Sequence, residues 1–161
     1  MSDRALAERL VRSAGGLALE LRGGPAREKD GATDVVTEAD TRAEALLLDI
    51  LREERPGDGV VGEEGTDVAG GGARRWLLDP VDGTLNYAAG VPVGCAAVVR
   101  VDDDGPLASA VYDAVHDELW SAARGEGATC NGAPLRLGAV GEAPPPAPAR
   151  VDDGRDGGVG E

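Results

Sequence analysis

An α+β fold, with two N-terminal helices packed on a mostly antiparallel sheet, is what this sequence predicts. Three observations carry it. Apolar residues recur at spacings of three and four from Leu6 to Leu21 and again from Ala43 to Leu51, the period of an amphipathic helix. From Val60 onward the apolar residues come in short β-prone runs. Glycine- and aspartate-rich turns separate those runs, and helices followed by strands make an α+β chain.

The elements follow in order. Residues 3–22 read as a helix with Leu6, Leu10, Ala14, Leu17 and Leu21 on one face, Ser2 as N-cap and Gly23-Gly24-Pro25 as its end. Residues 26–36 read as a polar loop running into Val35-Val36. Thr37 opens a second helix, because Thr37-x-x-Asp40 fits the capping pattern, and Ala43, Leu46, Leu47, Ile50 and Leu51 form its apolar face up to Pro56-Gly57. Gly59–Gly62 is a short strand ending at Glu63-Glu64, and Gly70-Gly71-Gly72 is a loop. Arg75–Leu78 is a buried-type strand ending at Asp79. Val91–Val101 and Leu107–Val115 flank the turn Asp102-Asp103-Asp104-Gly105 as an antiparallel hairpin. Glu118–Ala123 is a further strand, and Asn131-Gly132 turns between two extended pieces in 129–137. Residues 142–161 hold Pro144-Pro145-Pro146, no aromatic residue, and only Val151 and Val159 as branched apolar residues. Such a segment cannot bury enough surface to offset its ordering entropy, so a disordered tail is expected there, after a folded unit over 1–141.

Composition narrows the function. A chain of 161 residues carries a prior of one domain. Acidic residues outnumber basic ones 30 to 16, for a net charge of −14, which argues against a nucleic-acid or anionic-membrane partner. Cys95 and Cys130 form no C-x2-C pair and His116 is the single histidine, so neither a thiolate zinc site nor a disulfide scaffold is expected. With no apolar signal core at the N-terminus and no run of 18 apolar residues, a cytoplasmic protein is expected. Lys29 is the only lysine among 16 basic residues, a skew that reads as the coding bias of a GC-rich genome. His116 reads as a turn residue, Cys95 as core and Cys130 as a buried thiol. Gly125-Glu-Gly127 lacks the third glycine of a dinucleotide fingerprint.

The stretch that carries chemistry is Trp76-Leu-Leu-Asp79-Pro80-Val81-Asp82-Gly83-Thr84-Leu85-Asn86-Tyr87. An apolar strand delivers Asp79 to its end, Pro80 bends the chain, and Asp82 follows three residues on. Both carboxylates and the Val81 carbonyl can converge on one point, the oxygen donors a hard cation such as Mg²⁺ takes. Gly83-Thr84 opens a short helix whose first N–H groups suit a phosphate. By itself the segment could also be an Asp-Pro turn and an Asp-Gly turn with solvated carboxylates. Gly62-Glu63-Glu64-Gly65 adds acids at a second strand end, and Asp34-Val-Val-Thr37-Glu-Ala-Asp40 adds another at a helix start.

With these companions the sequence resembles the inositol monophosphatase family of magnesium-dependent phosphomonoesterases. The resemblance covers about residues 4–138: Lys29, Asp34-x-Val-Thr37-x-x-Asp40, Gly62-Glu63-Glu64, Asp79 to Tyr87 (Tyr87 replacing the usual Phe) and Gly125-x-Gly127-Ala128-x-x-Asn131-Gly132. It implies that Glu63, Asp79 and the Val81 carbonyl hold a first Mg²⁺, with Asp79 and Asp82 reaching a second. Paired cations about 3.5–4 Å apart activate water and stabilise a leaving oxygen. It further implies that Thr84, paired with Asp40, polarises the attacking water, and that Asp82, Gly83 and Thr84 border the phosphate. Glu64 would lie near the water network and Lys29 in a mobile loop over the site. The substrate implied is a small phosphorylated metabolite such as inositol-1-phosphate, with histidinol phosphate as the alternative, and a homodimer is compatible with the family.

The resemblance extends over the family's N-terminal half only. No Trp-Asp-x-Ala-Gly motif, which would supply a further aspartate to the second metal, occurs in the 161 residues. The sequence is therefore expected to be a truncated or frame-shifted product. Weak or absent turnover, an exposed apolar sheet face and aggregation are expected with it, and a non-catalytic metal-binding half-domain is the competing reading.

Overall fold

The computed structural model describes residues 1–23, 26–31 and 34–136, and for 26–31 and 34–36 the backbone alone. The expected tail over 142–161 lies outside the described residues.

Helix α1 spans Asp3–Glu20, and the Ser2 hydroxyl caps it by accepting from the Ala5 N–H at 3.2 Å. Its inward face is Leu6, Ala7, Leu10, Val11, Ala14, Gly15 and Ala18. Leu17 and Leu21 are only partly buried, so the apolar stripe follows the 3.6-residue turn inward of the expected one. Residues 26–31 and 34–37 are not a loop. They form the hairpin β1 (Ala26–Gly31) and β2 (Asp34–Thr37), with Arg27 opposite Val36 and an irregularity after Glu28. Helix α2, Glu38–Glu54, starts on the expected capping box, with Thr37 and Asp40 each bonding the other's backbone N–H.

The remaining strands are β3 (Gly59–Gly62), β4 (Asp67–Val68), β5 (Arg75–Asp82), β6 (Cys95–Asp102), β7 (Gly105–Asp113), β8 (Glu118–Ala123), β9 (Gly127–Cys130) and β10 (Ala133–Pro134), with the short helix α3 (Thr84–Ala88) after β5. They make one eight-stranded sheet in the order β10-β9-β8-β7-β6-β5-β3-β4. All neighbours are antiparallel except β3 and β5. Asn131 and Gly132 sit at φ 47° and 77°, the left-handed pair that a tight hairpin turn needs. Strand β6 begins at Cys95 rather than Val91. The Val91 N–H donates to the Asn86 carbonyl at 2.8 Å and the Val93 N–H to the Val91 carbonyl at 2.9 Å, so these amides are spent on local turns.

Both long helices lie on one face of the sheet. Leu6, Leu10, Leu47 and Leu51 pack there against Val60, Trp76, Leu78, Ala96, Val98, Ala110 and Leu119. Gly15 brings α1 close to the sheet, because a Cβ there would stand 2.8 Å from Tyr112 Cδ1. The opposite face carries Val61, Leu77 and Val99 in register, and Val61 and Leu77 remain 41% and 38% exposed. At the sheet's other end buried Arg100 forks onto Asp58, Nε to Oδ2 at 2.8 Å and Nη2 to Oδ1 at 2.9 Å, and also reaches Asp3. Trp76 Nε1 donates to the same Asp58 at 3.0 Å. Such full pairing is what makes a buried cation tolerable. Among the described residues no helix is long and apolar enough to cross a membrane.

Candidate active site

The site is assembled by the one parallel pair in the sheet. Gly62 stands opposite Leu78, and the Glu63 N–H donates to the Leu78 carbonyl at 3.2 Å. Parallel strands present their C-terminal ends side by side, so Glu63 leaves β3 beside Asp79 of β5. That strand does not stop at Asp79 as expected. It continues to Asp82 through an irregularity in which Asp79 pairs Ala97 and Asp82 pairs Cys95. Pro80 has no N–H to give to a ladder, and a bulge is where a strand tolerates it. The bulge buries Pro80 and Val81 and leaves Asp79 half-buried and Asp82 exposed.

Gly83 then turns the chain at φ 91°. A Cβ there would meet the Val93 carbonyl at 3.2 Å as well as an unfavourable backbone angle. The turn starts α3, whose first internal bond runs from the Tyr87 N–H to the Gly83 carbonyl at 3.0 Å. The amides before Tyr87 therefore have no acceptor within the helix, the condition expected of a phosphate cradle. At five residues α3 carries little dipole of its own.

Thr84 and Asp40 meet. The Thr84 hydroxyl lies 3.0 Å from Asp40 Oδ1 and 3.0 Å from the Val81 carbonyl, either of which can accept its proton. Asp40 is 2% exposed. Its Oδ2 accepts from the Thr37 N–H at 2.9 Å and from the Thr37 hydroxyl. The acid that completes the cap of α2 thus also receives Thr84.

The electrostatics are lopsided. Burial pushes the Asp79 carboxyl up to about 7, and the charges of Glu63, Asp82 and Asp40 and a hydrogen bond with Glu63 add to the rise. Asp79 Oδ1 is buried with no hydrogen-bond partner among the described residues, an arrangement that is costly unless something positive arrives. A divalent cation fits that need, and the oxygens that could hold it are those of Glu63, Asp79, the Val81 carbonyl and Asp82. Among the described residues no group of three or more His, Cys, Asp or Glu side chains stands arranged to hold a metal ion by itself.

Two further residues belong to the site without having been foreseen. Glu44, on α2, is 3% exposed and accepts from the Glu64 N–H at 2.7 Å and the Thr66 N–H at 2.9 Å. Its one sequence signal is an acid lying beside the apolar stripe at Ala43 and Leu47. Cys95 is not core. It is half-buried and its thiol donates to Asp82 Oδ2 at 3.6 Å. Burial, followed by the charge of Asp82, pushes that thiol up to about 12. Cys130 is buried, as expected. His116 sits in the β7–β8 turn with Nδ1 2.6 Å from Asp113 Oδ2. The side chains of Lys29 and Asp34 lie outside the described residues, and the backbone puts Lys29 in β1 rather than in a loop.

The chain as a whole has known relatives. The family described as the inositol monophosphatase family matches the chain over residues 3–147. The inositol-1-monophosphatase of Rhizobium meliloti is 41% identical over 111 residues, 68% of this chain and 41% of the relative. A histidinol-phosphatase of Chlorobaculum parvum is 36% identical over 143 residues, 87% of this chain and 55% of the relative. Among solved structures, the Thermotoga maritima IMPase superposes with a TM-score of 0.79 at 29% identity, covering 86% of this chain and 55% of that one. The extragenic suppressor protein suhB of Bartonella henselae also gives 0.79 at 29%, covering 84% and 53%. The chain spans about half the length of the relatives it matches, or less.

Proposed function

The chain belongs to the inositol monophosphatase family, and on that premise we propose that it carries the catalytic face of a Mg²⁺-dependent phosphomonoesterase. The observation that carries the reading is the buried Asp79 Oδ1, without a hydrogen-bond partner among the described residues, set among the carboxylates of Glu63, Asp82 and Asp40. Glu63, Asp79, the Val81 carbonyl and Asp82 would hold the metal. Bound divalent ions supply Lewis acidity at phosphoryl oxygens and an acidified water.

The chain's own residues handle the proton and the phosphate. The attacking water gives its proton to Thr84 Oγ1 as Thr84 passes its own to Asp40 Oδ1, across the 3.0 Å bond already formed. Asp40 Oδ2 is held by Thr37, so Oδ1 is the oxygen that takes the proton. The water oxygen bonds to phosphorus, the ester P–O bond breaks, and the departing alkoxide takes a proton from solvent. Asp82 and the N–H groups of Gly83 and Thr84 orient the phosphate. Inositol-1-phosphate is the substrate the reading favours, and histidinol phosphate is the alternative, since relatives of both names match.

The test is phosphate release under single-turnover conditions, enzyme in excess over each ester, with and without Mg²⁺. Release that needs Mg²⁺ and is lost in Asp79→Asn supports the reading, and the faster ester names the substrate. Mg²⁺ binding without release from any monoester would replace it with a metal-binding half-domain that does not turn over.

A further inference from the structure

We propose that Glu44 is a positioning residue for the cation site, setting Glu63 through the backbone of the loop that follows β3. The inference rests on the reading of Glu63 as a cation ligand. Three observations carry it. Glu44 is 3% exposed, and its two oxygens accept separately from the Glu64 N–H at 2.7 Å and the Thr66 N–H at 2.9 Å. A charged acceptor facing two amides is among the stronger hydrogen-bond arrangements. Gly62 is fitted to the same carboxylate, because a Cβ on Gly62 would overlap the Glu44 carboxyl group. The loop closes on itself as well, the Gly62 N–H donating to the Thr66 carbonyl at 2.7 Å.

Glu63 is thus pinned on both sides. Its own N–H is held by the Leu78 carbonyl of β5, and the next N–H by Glu44 of α2. Its side chain reaches Asp79, with which it shares a hydrogen bond. Asp40 and Glu44 are one helical turn apart on α2, on the same side. The first reaches Thr84 and the second reaches Glu64. One helix therefore sets both the proton acceptor and the metal-side carboxylate, and a shift of α2 would move them together.

The test uses the full 161-residue chain, its Glu44→Gln and Gly62→Ala variants, and Leu10→Ala as a core-destabilised control. Amide exchange at Glu64 and Thr66 is read without metal, and the Mn²⁺ dissociation constant by titration. In Glu44→Gln one oxygen still accepts but the NH₂ group faces the other amide. Exchange at Glu64 or Thr66 should then rise more than roughly tenfold and Mn²⁺ affinity should fall roughly tenfold, the usual cost of losing a group that orients a ligand. Gly62→Ala, which displaces the same carboxylate, should do likewise. Leu10→Ala should lower the melting temperature and leave Mn²⁺ affinity unchanged. Mn²⁺ affinity within twofold of wild type in both variants overturns the role of Glu44 and leaves the metal reading standing. Absence of Mn²⁺ binding by the wild-type chain overturns the metal reading, and this inference with it.

Discussion

The Thr84 hydroxyl lies 3.0 Å from Asp40 Oδ1 although 44 residues separate the two in the chain. A strand bulge delivers one and a helix cap delivers the other. Replacing Thr84 by Val keeps the shape and removes the proton path. Single-turnover phosphate release should fall about 10²- to 10⁴-fold, the usual range for a lost acid–base group. Thr84→Ser should retain most of the rate, and Mn²⁺ affinity should be unchanged in both. A Val variant as fast as wild type would remove Thr84 from the chemistry.

Asp79 is expected to cost stability when no cation is bound. Its Oδ1 has no partner among the described residues, and three carboxylates surround it. Metal-free Asp79→Asn should melt above metal-free wild type at pH 8. Millimolar Mg²⁺ should raise the wild-type melting temperature and leave the variant's in place, since a ligand stabilises only the state that binds it. Equal Mg²⁺ shifts in both proteins would move the cation elsewhere.

Asp3 links the start of α1 to Arg55 at 3.0 Å and to Arg100. Burial works against its charge, but the hydrogen bonds and charges of Arg55 and Arg100 outweigh it and hold the carboxyl below its ordinary range. A carboxyl lowered by folding contributes stability that is full above its unfolded value, near about 4, and is lost as pH falls through its folded value. The melting-temperature gap between wild type and Asp3→Asn should be full near pH 6 and should shrink as the pH falls below about 4 toward the folded value. A gap that stays constant with pH would mean that packing, not charge, holds Asp3.

Neighbouring glycines in α1 should answer oppositely to alanine. Glycine in a helix interior costs about 1 kcal/mol relative to alanine. At Gly16, where a Cβ meets nothing within 4 Å, alanine should stabilise by about 0.5–1 kcal/mol. At Gly15 the new Cβ would stand 2.8 Å from Tyr112 Cδ1 and 3.0 Å from Ala114 Cβ. Overpacking there costs about 1–3 kcal/mol and should outweigh the propensity gain. Denaturant unfolding of the two variants measures both signs.

What was legible in the sequence was what local chemistry decides. Thr37 and Asp40 announce a capping box, Asn131-Gly132 a hairpin turn, and the spacing of Asp79, Asp82 and Thr84 a strand end turning into a helix. The β1–β2 hairpin is not legible, because Ala26–Gly31 shows no apolar alternation. The continuation of β5 through Pro80 was hidden because proline usually ends a strand, and only the pairing with β6 shows the bulge. Glu44, Cys95 and Arg100 owe their places to partners 20, 13 and 42 residues away. No local pattern reports such distances, because tertiary packing chooses the partner.

The like direction of β3 and β5 has a practical consequence. Glu63 and Asp79 are neighbours because the ladder aligns Gly62 with Leu78, not because the stretch joining them has a given length. That stretch is tied down at Gly70, packed on Gly59, and is open around Gly72. A spectroscopic label or short insertion at Gly72 leaves the carboxylate spacing to strand registry, which makes this turn, at the end of the β3–β5 pair opposite the site, a place to attach a reporter without touching the carboxylates.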